Sequence, residues 1–179
     1  MSFFDKVVAA VTPPESAEDR ATARRNAEAA AGPGDWLDMI LGHHRQIAQA
    51  FGAAETAQGE AARTEAIKTL AALLTGHAMA EEAAIYPQLS HDHKTQMSMA
   101  YEEQQGAKVE LALLADLDPL SQDWADKLGH IKGAVQHHVY LEESSRFMNL
   151  RQELPEGKQA VMTQRYREEI KRYGSGLQT

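Results

Sequence analysis

A histidine followed four residues later by a pair of glutamates occurs twice in this chain, at His77-Ala-Met-Ala-Glu81-Glu82 and at His138-Val-Tyr-Leu-Glu142-Glu143. Side chains four apart on a helix share a face, so each copy aims an imidazole and a carboxylate at one point. Each copy also sits inside an apolar stripe of helical period. Ile67, Leu70, Leu74, His77, Glu81 and Ile85 follow at spacings of 3, 4, 3, 4 and 4, and Ile131, Val135, His138 and Glu142 at 4, 3 and 4. Such a stripe is the face a helix buries. Titratable groups placed there need a partner, because imidazoles and carboxylates are costly to bury alone. A single copy in a Glu-rich chain reads as a solvated helix face; two copies, both embedded in apolar stripes, point to a metal ion.

The remaining seams fit the same plan. Asp35 reads as the N-cap of a helix running to about residue 57, with Ile40, His44, Ile47 and Phe51 at spacings of 4, 3 and 4. A helix over about 94–115 carries Met97, Ala100, Gln104, Ala107, Leu111 and Leu114, with Gln104 as its inward polar residue. The second helix is expected over about 60–89. Asp118-Pro119 reads as an N-cap and first-turn proline opening a helix to about residue 150. His44 to His77 is 33 residues, His77 to Gln104 is 27 and Gln104 to His138 is 34. Each interval suits half a helix, a short loop and half a returning helix. The prediction is an all-α, up-down-up-down four-helix bundle over 35–150 whose four helices bring a polar residue to one level.

Residues 1–34 read as an N-terminal arm. Its first eleven residues hold Phe3-Phe4 and Val7-Val8 but are broken by Asp5 and Lys6, too short an uncharged run for a signal or a membrane span. A cytoplasmic protein is expected. Pro13-Pro14 follows, then an Ala-rich charged stretch that buries little, closed by Gly32-Pro33-Gly34. Residues 151–179 read as an extra amphipathic helix and tail on the outside of the bundle, with Val161, Tyr166 and Ile170 available for packing. The formal net charge of −8 argues against nucleic acid, whose phosphates need a basic surface. Cysteine is absent, which excludes thiolate ligands and disulfides.

Imidazole and carboxylate without sulfur suit iron, manganese or zinc. The Glu-x-x-His pattern of ferritin-like di-iron bundles is missing, since no glutamate stands three residues ahead of any of the eight histidines. The His-Glu-x-x-His protease pattern is missing too. The set Leu41-Gly-His43-His44-Arg-Gln-Ile47, His77-x-x-x-Glu81-Glu82 with Ile85-Tyr86-Pro87, and His138-x-x-x-Glu142-Glu143 resembles the hemerythrin-like HHE cation-binding family over about 35–150. That resemblance implies a non-haem di-iron centre: two iron ions bridged by Glu81 and Glu142, with His44, His77 and His138 as terminal ligands.

This chain departs from the family on the third helix, where Glu102-Glu103-Gln104-Gln105 stands in place of histidine. Gln104 as an oxygen ligand, Glu103 swinging inward, or an open position on one ion are the three alternatives. On the first helix the adjacent His43 and His44 cannot face the same way, and the seam spacing selects His44. The function expected from the resemblance is binding or sensing of dioxygen or a related small molecule, or iron handling. An oxidase or peroxidase-type enzyme and a zinc-binding or metal-free structural bundle are the rival readings, and no catalytic acid/base pair is visible beyond the ligands.

Overall fold

A computed structural model of the chain describes residues 15–89, 94–174 and 176–177, and among them it is helical throughout, with no strand. The run Met1–Val11, Pro13-Pro14 and the His91/His93 connection lie outside the described residues. Helix α1 spans Ala17–Ala30, α2 Trp36–Thr56 and α3 Glu60–Ala84. A single short turn, α4, covers Tyr86–Leu89; α5 spans Lys94–Ala115, and α6 spans Gln122–Leu141. A π-helical turn, Glu142–Arg146, follows, then α7 at Phe147–Glu153 and α8 at Glu156–Tyr173.

Helices α2, α3, α5 and α6 pack in chain order, α2 on α3, α3 on α5, α5 on α6, and α6 closes the ring on α2. This is the four-helix bundle the seams predict. Ile40, Ile47, Phe51, Ile67, Leu70, Leu74, Ala100, Ala107, Leu111, Leu114, Ile131 and Val135 are all buried in its core. The caps follow local chemistry. Asp35 accepts from the Asp38 amide at 2.9 Å, and Ser16 and Asp19 form a reciprocal capping box on α1.

Three boundaries differ from expectation. The helix entering the second repeat starts at Gln122, not at Pro119: Ser121 is its N-cap, accepting from the Trp124 amide at 3.1 Å, while Asp118 accepts from the Leu120 amide in the preceding turn. The helix of the first repeat stops at Ala84 and restarts at Tyr86, so it does not run unbroken to residue 89. The last helix of the bundle changes character after Leu141. In the π turn the Phe147 amide bonds back five residues to the Glu142 carbonyl, and Glu142, Glu143 and Arg146 all turn inward.

The terminal segments wrap the ring. Helix α1 lies against the π turn and α2, burying only Ala23 and Ala27, small side chains as the sequence led one to expect. Helix α8 lies outside the ring along α3 and α2 but reaches further in than its amphipathic pattern indicates. Val161, expected to pack, is 59% exposed, and Met162 is buried with Tyr166 and Ile170 instead. Gly76 makes the α3–α8 approach possible. A Cβ there would lie 2.8 Å from the Tyr173 carbonyl oxygen and 2.9 Å from the Gly174 Cα, both backbone atoms that cannot rotate away. Gly76→Ala is therefore expected to destabilise the protein by about 1–3 kcal/mol in urea denaturation, as over-packing does. An unchanged midpoint would mean that α8 does not seat on α3 this closely.

Candidate metal centre

The seam spacing gathers buried polar groups from several walls at the middle of the bundle. His44 from α2, His77 and Glu81 from α3, and Glu142 from the π turn each present a ligand atom, and these atoms all lie within 4.8 Å of one another. All four residues are at most 3% exposed. Within the group, His44 Nε2 is 3.4 Å from Glu142 Oε2 and His77 Nε2 is 3.3 Å from Glu81 Oε2. His138 joins from α6, its Nε2 lying 3.2 Å from the other Glu142 oxygen, Oε1.

The other predicted residues take distinct places. Gln104 points inward from α5 and donates through Nε2 to Glu81 Oε2 at 2.6 Å. Glu103 lies behind His138, 2.6 Å from Nδ1, where Arg146 also holds it through two bonds of 2.8 and 3.1 Å. His43 is buried like His44 but turns to the α8 side, its Nδ1 2.8 Å from the Tyr166 hydroxyl. Glu143 faces His44, whose Nδ1 lies 2.7 Å from Oε1, whereas Glu82 faces Lys108 on α5 at 2.9 Å. The Tyr86 hydroxyl enters the cluster, 3.0 Å from Glu142 Oε1 and 3.4 Å from both Glu81 Oε2 and His138 Nε2.

Sequence periodicity placed Tyr166 on the packing face of the terminal helix, where it is buried, but not beside the histidine layer. Its hydroxyl lies 2.8 Å from His43 Nδ1 and 3.3 Å from His77 Nδ1, on the side of the His77 ring opposite the Nε2 that faces Glu81. The amphipathic pattern marks the face that packs, but nothing local marks which of its residues reaches a distant polar group. The inward turn of Glu143 and Arg146 did leave a signal. After Glu142 the 3, 4 continuation would fall on Ser145 and Asn149, both polar, while the apolar residues stand at Phe147 and Leu150.

The electrostatics follow from burial and neighbours. Burial pushes the His44 imidazole down, but the Glu142 carboxylate close to Nε2 and the bond from Nδ1 to Glu143 outweigh this and lift its pKa to about 9. His138 is likewise pushed down by burial, and the charge of Glu142 with the bond to Glu103 carries it to about 10. Burial, then the neighbouring Glu142 charge, raises Glu81 well above the carboxylate range. Burial, then the neighbouring His44 and His43 imidazoles, holds His77 well below the usual imidazole range. The metal-free layer is thus kept near neutrality by protons.

Five atoms of this layer lack a hydrogen-bond partner: His44 Nε2, His77 Nε2, Glu81 Oε1, Glu142 Oε2 and Gln104 Oε1. Buried polar atoms without partners are uncommon and costly, and here they converge. First-row cations bind imidazole nitrogen and carboxylate oxygen at about 2.0–2.2 Å, which sets neighbouring ligand atoms roughly 3.0–3.4 Å apart. The separations of 3.3 and 3.4 Å in the two His–Glu pairs match that spacing. The residues present therefore fit a cation, and their donors, nitrogen and oxygen without sulfur, suit a transition metal of intermediate hardness.

An all-helical bundle with a buried histidine and glutamate layer is the architecture of a metal-binding helical domain. The hemerythrin HHE cation binding domain matches this chain over residues 36–150, and the chain belongs to that family. Searches of the curated proteins and of the solved structures return no match. No helix among the described residues is long and apolar enough to cross a membrane.

Proposed function

We propose that this protein holds two iron ions bridged by carboxylates and uses them to bind or sense dioxygen or a related small molecule. The observation that carries the reading is the placement of Glu142: one of its oxygens faces His44 and the other faces His138, the disposition of a carboxylate spanning two cations. His44, His77 and His138 would supply terminal nitrogens, with Glu81 as the second bridge and Gln104 offering an amide oxygen where the family has histidine. When bound, the metal pair supplies Lewis acidity and an exchangeable coordination position.

The surroundings favour a small uncharged ligand. A cavity of about 30 Å³ abuts His77, Gln104 and His138, and its other walls include Ile47, Leu74, Ala107 and Val135. That is room for a diatomic molecule or one water, and the lining is chiefly apolar. Outside the ligand set the cavity wall includes Glu103 and Lys108, and Glu103 is already bound to His138 and Arg146.

The test is metal content per chain after purification without chelator, read with the optical spectrum of the oxidised protein. Two iron ions per chain are expected, with a spectrum that changes on adding a small ligand. A single zinc ion, or no metal, would overturn the proposal, and multiple turnovers of peroxide would replace a binding role with an enzymatic one. Loading should also tighten as pH rises toward 9, because a cation displaces the protons that His44 and His138 hold below about 9 and 10. A metal titration in which affinity is flat between about pH 6 and 8 would remove these two histidines from the ligand set.

A further inference from the structure

Helix α1 buries only two alanines, so apolar area does not explain its docking. Its anchors are ionic, and they land beside the metal centre. Glu15, just ahead of the helix, lies 2.7 Å from Nδ1 of His137, the neighbour of His138. Arg24 grips Glu143 with two prongs, Nε to Oε2 at 2.8 Å and Nη2 to Oε1 at 2.6 Å. The same Oε1 lies 2.7 Å from His44 Nδ1.

A two-pronged guanidinium fixes the plane of a carboxylate as well as its charge. With Glu143 so fixed, His44 Nδ1 is held as the donor and Nε2 is left facing Glu142, available to a cation that displaces its proton. The arrangement is repeated across the centre, where Arg146 grips Glu103 with two bonds and Glu103 takes His138 Nδ1. There the arginine comes from the π turn, inside the segment that the family match covers. For His44 it comes from α1, ahead of that segment.

We propose that Arg24 is a positioning residue of the metal centre, acting through Glu143 to keep His44 Nε2 directed at the cation, so that the helix preceding the family domain is a working part of the site. The inference rests on the metal reading above. It assigns α1 a task that its small, charged composition suits: delivering one guanidinium to a carboxylate that is 2% exposed.

The test uses zinc(II) as a diamagnetic probe on the full-length chain, with affinity from chelator competition and the His44 tautomer from imidazole ¹⁵N resonances. Arg24→Met should weaken zinc binding about 10- to 100-fold and give His44 a mixture of tautomers, as loss of an outer partner of a metal-bound histidine does. Arg24→Lys, which keeps the charge but not the fork, should recover part of the affinity. Arg20→Met, a control on the same helix that pairs with Glu15, should leave both readouts unchanged. A double-mutant cycle separates positioning from general loosening of α1: Glu143→Gln with Arg24→Met should lose no more affinity than Glu143→Gln alone. Wild-type affinity and a single tautomer in Arg24→Met, or additive losses in the cycle, would overturn the inference while leaving the centre intact. Failure of the wild-type protein to bind metal would instead overturn the metal reading and this inference with it.

Discussion

Glu142→Ala is expected to abolish cation loading and to cost the metal-free fold about 3–5 kcal/mol, the range for removing one partner of a buried charged set. Glu142 is fully buried, with His44 Nε2 at 3.4 Å, His138 Nε2 at 3.2 Å and the Tyr86 hydroxyl at 3.0 Å. Its negative charge is what sustains the protonated imidazoles at these positions against burial. Without it, His44 and His138 either keep their protons uncompensated or give them up and lose their bonds. Glu142→Gln keeps the shape and isolates the charge, so it should retain more of the packing while still losing metal. Elemental analysis and urea denaturation of the three proteins check both halves. Wild-type metal content in Glu142→Ala would remove this residue from the ligand set.

The second large effect separates two neighbours. His44→Ala should lose the cation, whereas His43→Ala should keep it and lose about 1–3 kcal/mol of stability through the lost His43–Tyr166 bond and the space left beside the ring. Both imidazoles are buried, so exposure does not distinguish them. Direction does. His44 is in the group of converging candidate ligands, and His43 Nδ1 bonds Tyr166 on α8. Metal content of the two variants decides the matter: loss in His43→Ala with retention in His44→Ala would place the centre on the α8 side.

The ring of four helices was legible because a 3, 4 spacing of apolar residues encodes one buried face, and Ile40, Ile47, Leu70, Leu74, Ile131 and Val135 keep that spacing without a break. The polar members of those faces, His44, His77, Glu81, Gln104, His138 and Glu142, are buried for the same reason. Periodicity reports one helix at a time, and it is silent on what a neighbour brings. Arg24 and Glu143 are 119 residues apart and His43 and Tyr166 are 123 apart, so neither pairing is written in any local pattern. The start of α6 was misplaced for a different reason. Asp118-Pro119 and Ser121 are both acceptable helix openings within one turn, and the chain uses the serine, leaving Pro119 in the turn where its missing amide costs nothing.

The π turn at Glu142–Arg146 has a consequence for how substitutions along this helix should be interpreted. One extra residue in a turn rotates everything beyond it by about 100°, so the two halves of a single rod obey different hydrophobic clocks. Up to Glu142 the inward beat falls on Leu128, Ile131, Val135 and His138; beyond it the beat resumes on Phe147 and Leu150. The turn is a phase slip, and Glu142, a member of the candidate metal cluster, stands on its first residue. A tolerance profile that keeps one unbroken period from 128 to 150 would describe a straight helix, without the phase slip that follows Leu141.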